Sequence, residues 1–381
     1  MKQELSSLEL HYLVQELQVL EGAKIDQVYQ PSREELLLIF HSPSRGKTML
    51  YIVLGKWLYI THHKQHMPER PHGYCLYLRK HLRNARVVEI QQIDNERIVD
   101  IHLSTKDKKY HLFIELFMKG NVILTDIDGT ILSPLETQEW KERSIKKGVK
   151  YAYPKHEHNA LIMNKTPFIY LLKATEKESL VKALATDLGL GGTYAEELCL
   201  NATIDKNKKP ATLTEKEATS LYLELVAMRD KKAKPCIVKE VGEAGKGGHV
   251  KDITPFPLTL YKNLDHVMKE TYSAALDEIL GTAIIQQKEE SATKETKQQQ
   301  TKVQTVIDMQ SKQLRKLEEE AADCQKKGEA IYEQYQVVKM FLDEVKKEQK
   351  GLSGQELKAL LETHHLVKKV DMKTKKVVIE V

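Results

Sequence analysis

Thirteen positions between Val303 and Val345 recur at alternating spacings of four and three: Val303, Ile307, Gln310, Leu314, Leu317, Ala321, Cys324, Gly328, Ile331, Tyr335, Val338, Leu342 and Val345. Eleven of the thirteen are non-polar; Gln310 and Gly328 are the exceptions. A stripe held over six heptads, with lysines and glutamates between, predicts one strand of a coiled coil. Such a helix cannot build a core by itself, because its seam stays in water until something covers it. Beyond it, Leu352–Glu362 reads as a short helix, and Leu366–Val370 with Lys376–Val381 as a two-stranded hairpin around Asp371–Lys375. No returning helix follows. The seam is therefore expected either to dimerise or to belong to a longer native protein of which this is a truncated piece, and the second is preferred.

Length and charge bound the rest. A chain of 381 residues exceeds one compact core, so two or three structural units are expected. Lysine plus arginine number 59 and aspartate plus glutamate 54, a net charge of +5. That excess makes no global field, so a nucleic-acid partner would have to be met by local patches. Cys75, Cys199, Cys236 and Cys324 are scattered and no CxxC occurs. This argues against a zinc site or a disulfide framework and fits a reducing compartment. The N-terminus has no apolar signal core, and no window approaches the ~18 apolar residues of a membrane helix. A cytoplasmic protein with no membrane partner is expected.

The first 160 residues read as an α+β domain with an antiparallel sheet. Ser6-x-x-Glu9 is a capping box, and Leu10, Leu13, Val14, Leu17 and Leu20 follow at helical spacing as far as Gly22. Strand-like runs come next at 25–29, 35–40, 49–54, 58–61, 98–103, 110–116 and 122–125, and the domain ends near Tyr151–Pro154. Helix dominates after Pro167. Leu180, Val181, Leu184 and Leu188 form a stripe, Gly189-Leu190-Gly191-Gly192 breaks it, and a second helix starts near Tyr194. Two short helices around a glycine turn resemble a helix–hairpin–helix unit, whose bare backbone amides can approach a phosphate; ordinary helix packing is the plainer reading. Residues 1–160, 161–260, 261–350 and 351–381 are thus expected as N-terminal domain, helix–hairpin–helix domain, coiled-coil helix and small tip.

Several motifs carry possible chemistry. Val122-Ile-Leu-Thr-Asp126-Ile-Asp128-Gly129-Thr130 matches the hhhhDxDGT signature of dehalogenase-type phosphatases, in which the first aspartate attacks phosphorus. The later acids that would complete a magnesium site are missing, and a hairpin turning at Asp128-Gly129 explains the run. His62, His63, His66 and His72 have spacing that allows a metal, but no carboxylate or cysteine pattern supports one. Cys75–Arg86 reads as an amphipathic helix, with Leu76, Leu78 and Leu82 making apolar contacts and Arg79, Lys80, Arg83 and Arg86 projecting over more than one face. With Lys64, Arg70 and the histidines of the preceding loop it makes a basic stretch suited to phosphates, although a solvated surface helix would look the same. Glu96-Arg97 opens a strand. As a surface pair it is worth ~0–1 kcal/mol, whereas arginine's planar fork can grip a phosphate or a guanine edge. Lys119-Gly120-Asn121 is a tight turn feeding another strand.

Basic helix, acid–arginine pair and glycine turn, in that order, resemble the N-terminal domain of the NFACT family of ribosome-associated quality-control factors. The resemblance extends over Ser7-Leu-Glu9-Leu, Gly22 through Val28-Tyr29, Leu78–Leu82, Glu96-Arg97-Ile-Val, Gly120-Asn121, the exit Arg143…Gly148…Tyr151…Pro154, Leu188–Leu198, Pro255–Leu258 and the coiled coil. It implies an N-terminal domain similar to that of formamidopyrimidine-DNA glycosylases, without their chemistry, since Lys2-Gln3 stand where those enzymes need proline and glutamate. It implies a factor that binds a stalled large ribosomal subunit carrying peptidyl-tRNA. Such a factor recruits aminoacyl-tRNA, often alanyl-tRNA, for untemplated tailing of the nascent chain. The ribosome makes the peptide bonds, so no enzymatic activity and no cofactor are expected. The candidate tRNA-binding residues are Glu9, Arg79, Lys80, Arg83, Arg86, Glu96, Arg97 and Lys119. The family usually has aspartate where Glu9 and Glu96 stand, which lengthens each acid by one methylene and keeps its charge. Its later RNA-binding module and second coiled-coil helix fall outside these residues. Two other readings stay open: a magnesium-dependent phosphatase on Asp126 and Asp128, and an adhesion or scaffold protein acting through the helix seam.

Overall fold

The computed structural model describes residues 3–63, 67–94, 96–154, 162–240, 248–371, 374 and 376–380, and of residues 283–299 only the helical backbone. Lys64, His66 and most of the 239–248 loop therefore lie outside the described residues. Contacts divide the chain into two compact units, Met1–Lys288 and Glu289–Val381.

The first unit begins with α1 (Ser7–Leu17), capped as its sequence predicts. The Ser6 side chain accepts from the Glu9 amide, and the Glu9 carboxylate accepts from the Ser6 amide at 2.8 Å. Nine strands follow: β1 (Lys24–Ser32), β2 (Glu35–Ser42), β3 (Gly46–Val53), β4 (Trp57–Thr61), β5 (Arg86–Gln92), β6 (Ile98–Ser104), β7 (Lys109–Glu115), β8 (Asn121–Asp126) and β9 (Ile131–Pro134). They form one sheet in the order β4-β3-β2-β1-β5-β6-β7-β8-β9, every pair antiparallel. Hairpins join all but β4 to β5, and that connection carries α2 (Gly73–Leu82). Leu36 through Phe40 on β2 are all buried, so both faces of the sheet are covered there.

The basic helix is shorter than its sequence suggests. It stops at Leu82; Arg83 is extended, Asn84 takes φ +61°, and Arg86 opens β5. Asn84 marks this ending, since asparagine tolerates the left-handed conformation that closes helices. Arg86 therefore belongs to the sheet and not to the polar face of α2.

Two very short strands, β10 (Gln138–Glu139) and β11 (Ser144–Ile145), lead to the helical part: α3 (Lys165–Ala174), α4 (Leu180–Lys182) with a π-turn over Ala183–Asp187, α5 (Gly192–Asn201) and α6 (Glu215–Arg229). Gly189 and Gly191, at φ +67° and +77°, make the turn into α5. A three-stranded sheet, β12 (Cys236–Lys239), β13 (Val250–Thr254) and β14 (Asp265–Met268), follows, then α7 (Tyr272–Leu276). Helix α1 joins these parts from two sides. Leu10, Leu13 and Leu17 sit in the core of the large sheet, while Leu8 and Tyr12 enter the core built by Phe168, Leu198 and Phe256. The Tyr12 hydroxyl donates to the carbonyls of Met228 and Lys231, both at 2.8 Å, and so closes the C-terminal end of α6. Tyr272 and Leu276 return from the far end of the unit into the sheet core.

Helix α8 (Thr282–Glu333) is followed, after a break at Gln334, by α9 (Tyr335–Glu348). The predicted heptad helix is present, interrupted once. Val303, Ile307, Leu314 and Leu317 are 47–58% exposed, so the α8 part of the seam is bare at these positions. At the tip of the second unit, Val338 and Phe341 of α9 and Leu361 of α10 (Gly354–Thr363) are buried. The hairpin β15 (Val367–Asp371) and β16 (Lys376–Ile379) completes it.

Candidate functional site

Three places in the first unit receive the residues singled out above. The first is a groove of about 510 Å³ between β1 and α2. Cys75, Leu78 and Leu82 anchor α2 in the core, which turns the next positions outward. Arg79, Lys80 and Arg83 line the groove with Asp26 and Tyr29. The Arg79 Nε donates to the Val28 carbonyl at 2.7 Å, and its guanidinium lies 5.1 Å over the Tyr29 ring. Arg79 is thereby held rigid, while Lys80 and Arg83 are exposed and have no ion-pair partner among the described residues. Three cations against one acid, beside an aromatic face, form a local basic patch.

The second place is a larger groove of about 910 Å³. Glu96 and Arg97 line it together with the N-terminal residues, the glycine turn Gly189–Gly192 and the first turn of α5. Among the described residues that line it, Glu4, Asp94, Glu96, Asp187 and Asp252 outnumber Arg97 and Lys251. Such a surface repels phosphate and suits hydrogen-bond donors: base amines, ribose hydroxyls or an ammonium. The Arg97 Nη1 pairs with the Glu4 carboxylate at 2.8 Å and donates to the Leu5 carbonyl at 3.3 Å. Glu4 is half exposed, so this pair is weak and exchangeable.

Glu9 lies beneath this groove and not in it. It is fully buried, and besides its cap it accepts the Tyr194 hydroxyl at 2.7 Å. Burial, with Glu9 next in importance, pushes the Tyr194 hydroxyl well above its usual range. Glu9 therefore ties α1 to α5, which brings the N-terminal residues and the glycine turn to one groove.

Lys119 sits in the third place, the exposed β7–β8 turn, beside a small cavity of about 240 Å³ that shares Phe117 and Met118 with the acidic groove. Arg86 is exposed and donates to the Gly22 carbonyl at 2.9 Å. The eight residues thus do not form one surface. Arg79, Lys80 and Arg83 cluster; Glu96 and Arg97 cluster elsewhere; Lys119 borders the second group; Arg86 and Glu9 are occupied structurally.

The other sequence candidates resolve locally. The Asp126 carboxylate accepts from the amides of Asp128 and Thr130 at 3.0 and 2.8 Å, closing the β8–β9 hairpin. Its oxygen serves its own turn, as the hairpin reading requires. The His62 amide and the Thr61 hydroxyl donate to Asp277 at 2.8 and 2.6 Å. Two clusters were not foreseen. Arg143 pairs with the buried Glu115, which also accepts the Tyr151 hydroxyl at 2.8 Å. Asp100, His102 and His111 converge on the sheet, the one such group among the described residues with metal-ligand geometry. Neither could be found without the strand register, because partners 28 or 11 residues apart show no periodicity.

The family model for NFACT N-terminal and middle domains matches residues 6–375. The archaeal Rqc2 homolog aRqcH of Methanocaldococcus jannaschii is 30% identical over 378 residues, 95% of this chain and 54% of that protein. The human ribosome quality control complex subunit NEMF is 25% identical over 371 residues, 89% of this chain and 33% of that protein. The chain thus spans about half or less of the length of these relatives. Among solved structures, the N-terminal part of the fibronectin/fibrinogen-binding protein from Streptococcus suis superposes with a TM-score of 0.58 at 24% identity, covering 73% of this chain and all of that one. On the extent of the family match and the archaeal identity, the chain belongs to the NFACT family, through its N-terminal and middle domains.

Proposed function

We propose that this chain is the tRNA-handling portion of a ribosome quality-control factor, bringing aminoacyl-tRNA to a stalled large subunit while the ribosome forms the peptide bonds. The relatives' names supply the quality-control context. The observation that carries the RNA reading is the β1–α2 groove, where Lys80 and Arg83 have no ion-pair partner among the described residues and flank the Arg79–Tyr29 stack. A stacked guanidinium and two exposed cations suit a curved phosphate backbone and an unstacked base. The acid-lined groove takes a different share of the same ligand. Glu96 and its neighbours accept donors from bases or ribose, and Arg97 exchanges Glu4 for a base edge. Tailing with alanine belongs to this proposal, as does pairing of two copies along the bare seam of α8.

The two grooves have separable signatures. Lys80→Ala with Arg83→Ala is expected to weaken tRNA binding about tenfold or more. It should also reduce the slope of log affinity against log salt by roughly 1.5–2, one phosphate contact each. Arg97→Ala should weaken binding while changing that slope by less than about one unit. Binding that ignores salt, or a double variant with wild-type affinity and slope, would remove RNA from the β1–α2 groove and favour protein binding through the helix.

A further inference from the structure

We propose that Asp100, His102 and His111 form a binding site for one divalent transition-metal ion, zinc by the character of its donors. Asp100 and His102 are two apart on β6 and so project from one face. His111 is the direct cross-strand partner of His102 on β7. The Asp100 Oδ2 lies 2.8 Å from the His102 Nε2 and 2.9 Å from the His111 Nδ1. All three donor atoms fall within 4.8 Å of one another.

A tetrahedral zinc ion with bonds of about 2.0–2.1 Å holds its donors about 3.3 Å apart. Capture therefore asks each imidazole to open by about 0.5 Å from Asp100, and the two imidazole nitrogens, now within 4.8 Å of each other, to settle at the same spacing. The second layer is in place. The Glu89 Oε2 stands 3.2 Å from the His102 Nδ1, on the side away from Asp100. That carboxylate would fix the tautomer that leaves Nε2 free to ligate, the arrangement seen behind metal-bound histidines. The Gln91 amide nitrogen lies 3.2 Å from the His102 Nε2, so the fourth position would fall to water or, after a flip of that amide, to the Gln91 oxygen.

Charge argues the same way. Asp100 is 1% exposed, and a buried carboxylate needs compensation. One dication neutralises Asp100 and Glu89 together and leaves both imidazoles neutral, the form in which they ligate. Phe113 shields one side, its ring stacked 5.6 Å from that of His111 and 4.0 Å from that of Tyr151. Two imidazoles with one carboxylate suit zinc over magnesium or calcium, which prefer all-oxygen shells. Such an ion would clip β6, the strand that Glu96-Arg97 opens, to β7.

The test is calorimetric titration of zinc chloride into the whole chain after removal of bound metal by a chelator. One high-affinity ion per chain is expected, with magnesium showing none. His102→Gln with His111→Gln should weaken zinc binding at least about 100-fold. Glu89→Gln, at a half-exposed residue outside the buried core, should weaken it about 10–100-fold. Replacing His62, His63 and His72 by alanine should change nothing. Equal binding by wild type and the double variant, loss of the ion with the loop histidines, or unchanged affinity in Glu89→Gln would each overturn the proposal.

Discussion

Gly120→Ala should cost about 3–5 kcal/mol and move the urea midpoint of the first unit sharply downward. Gly120 turns β7 into β8 at φ +69°, a conformation costing a residue with a Cβ about 1–2 kcal/mol. Steric contact costs more. An alanine Cβ there would lie 2.1 Å from the Gly55 amide nitrogen, 2.7 Å from the Leu54 carbonyl carbon and 3.0 Å from the Glu115 oxygen. These are backbone atoms of two turns pressed together, and forcing them apart adds about 1–3 kcal/mol or more. Gly129→Ala is the control. It has a similar φ of +78° but nothing within 4 Å of the added carbon, so only the strain of about 1–2 kcal/mol should appear. Tryptophan fluorescence reads the transition, since Trp57 and Trp140 are the chain's two tryptophans and both lie in this unit. A Gly120→Ala midpoint equal to that of Gly129→Ala would mean that the two turns are not packed this closely.

Arg143→Met should cost a comparable 3–5 kcal/mol, because it strands a buried charge. Glu115 is 1% exposed at the end of β7. Arg143 covers it, donates from Nε to the Ala152 carbonyl at 2.6 Å, and spreads over the rings of Tyr151 and Trp140 at 5.2 and 5.6 Å. Remove the guanidinium and, among the described residues, Glu115 keeps only the Tyr151 hydroxyl as a side-chain donor, whose own ionisation burial and the Glu115 charge already oppose. Adding Glu115→Gln to Arg143→Met removes the stranded charge and should recover half or more of the loss, as coupling between contacting groups requires. Urea denaturation of the two single variants and the double variant measures this. Additive losses would mean that the pair does not act as a unit.

These two sites mark where the sequence was readable and where it was not. Local grammar came through. The Ser6–Glu9 capping box, the Asp126–Thr130 hairpin and the helix under the long apolar stripe each depend on residues three or four apart, and each formed as expected. The strand β5 was hidden because Arg83 and Arg86 read as the continuation of a basic helix. The signal that would have separated them was Asn84, a helix-closing residue. The candidate site was half legible. Charge together with the family resemblance singled out Arg79, Lys80 and Arg83, which do share a groove. Arg97 and Glu9 were visible as residue types, but their partners Glu4 and Tyr194 come from chain ends and remote helices that only folding brings near. The same holds for Arg143 on Glu115 and for His111 beside Asp100. Long-range pairs leave no spacing to read, and these pairs decide which charges are free to meet a ligand.

Ultraviolet crosslinking of tRNA to the intact chain, with the joined peptides mapped by mass spectrometry, decides whether tRNA lies along the β1–α2 groove. Crosslinks are expected at Tyr29 and within residues 73–86, with a weaker second set around Arg97. Crosslinks confined to the long helix beyond Val303, or none above those formed with a tRNA-sized DNA duplex, would rule that placement out.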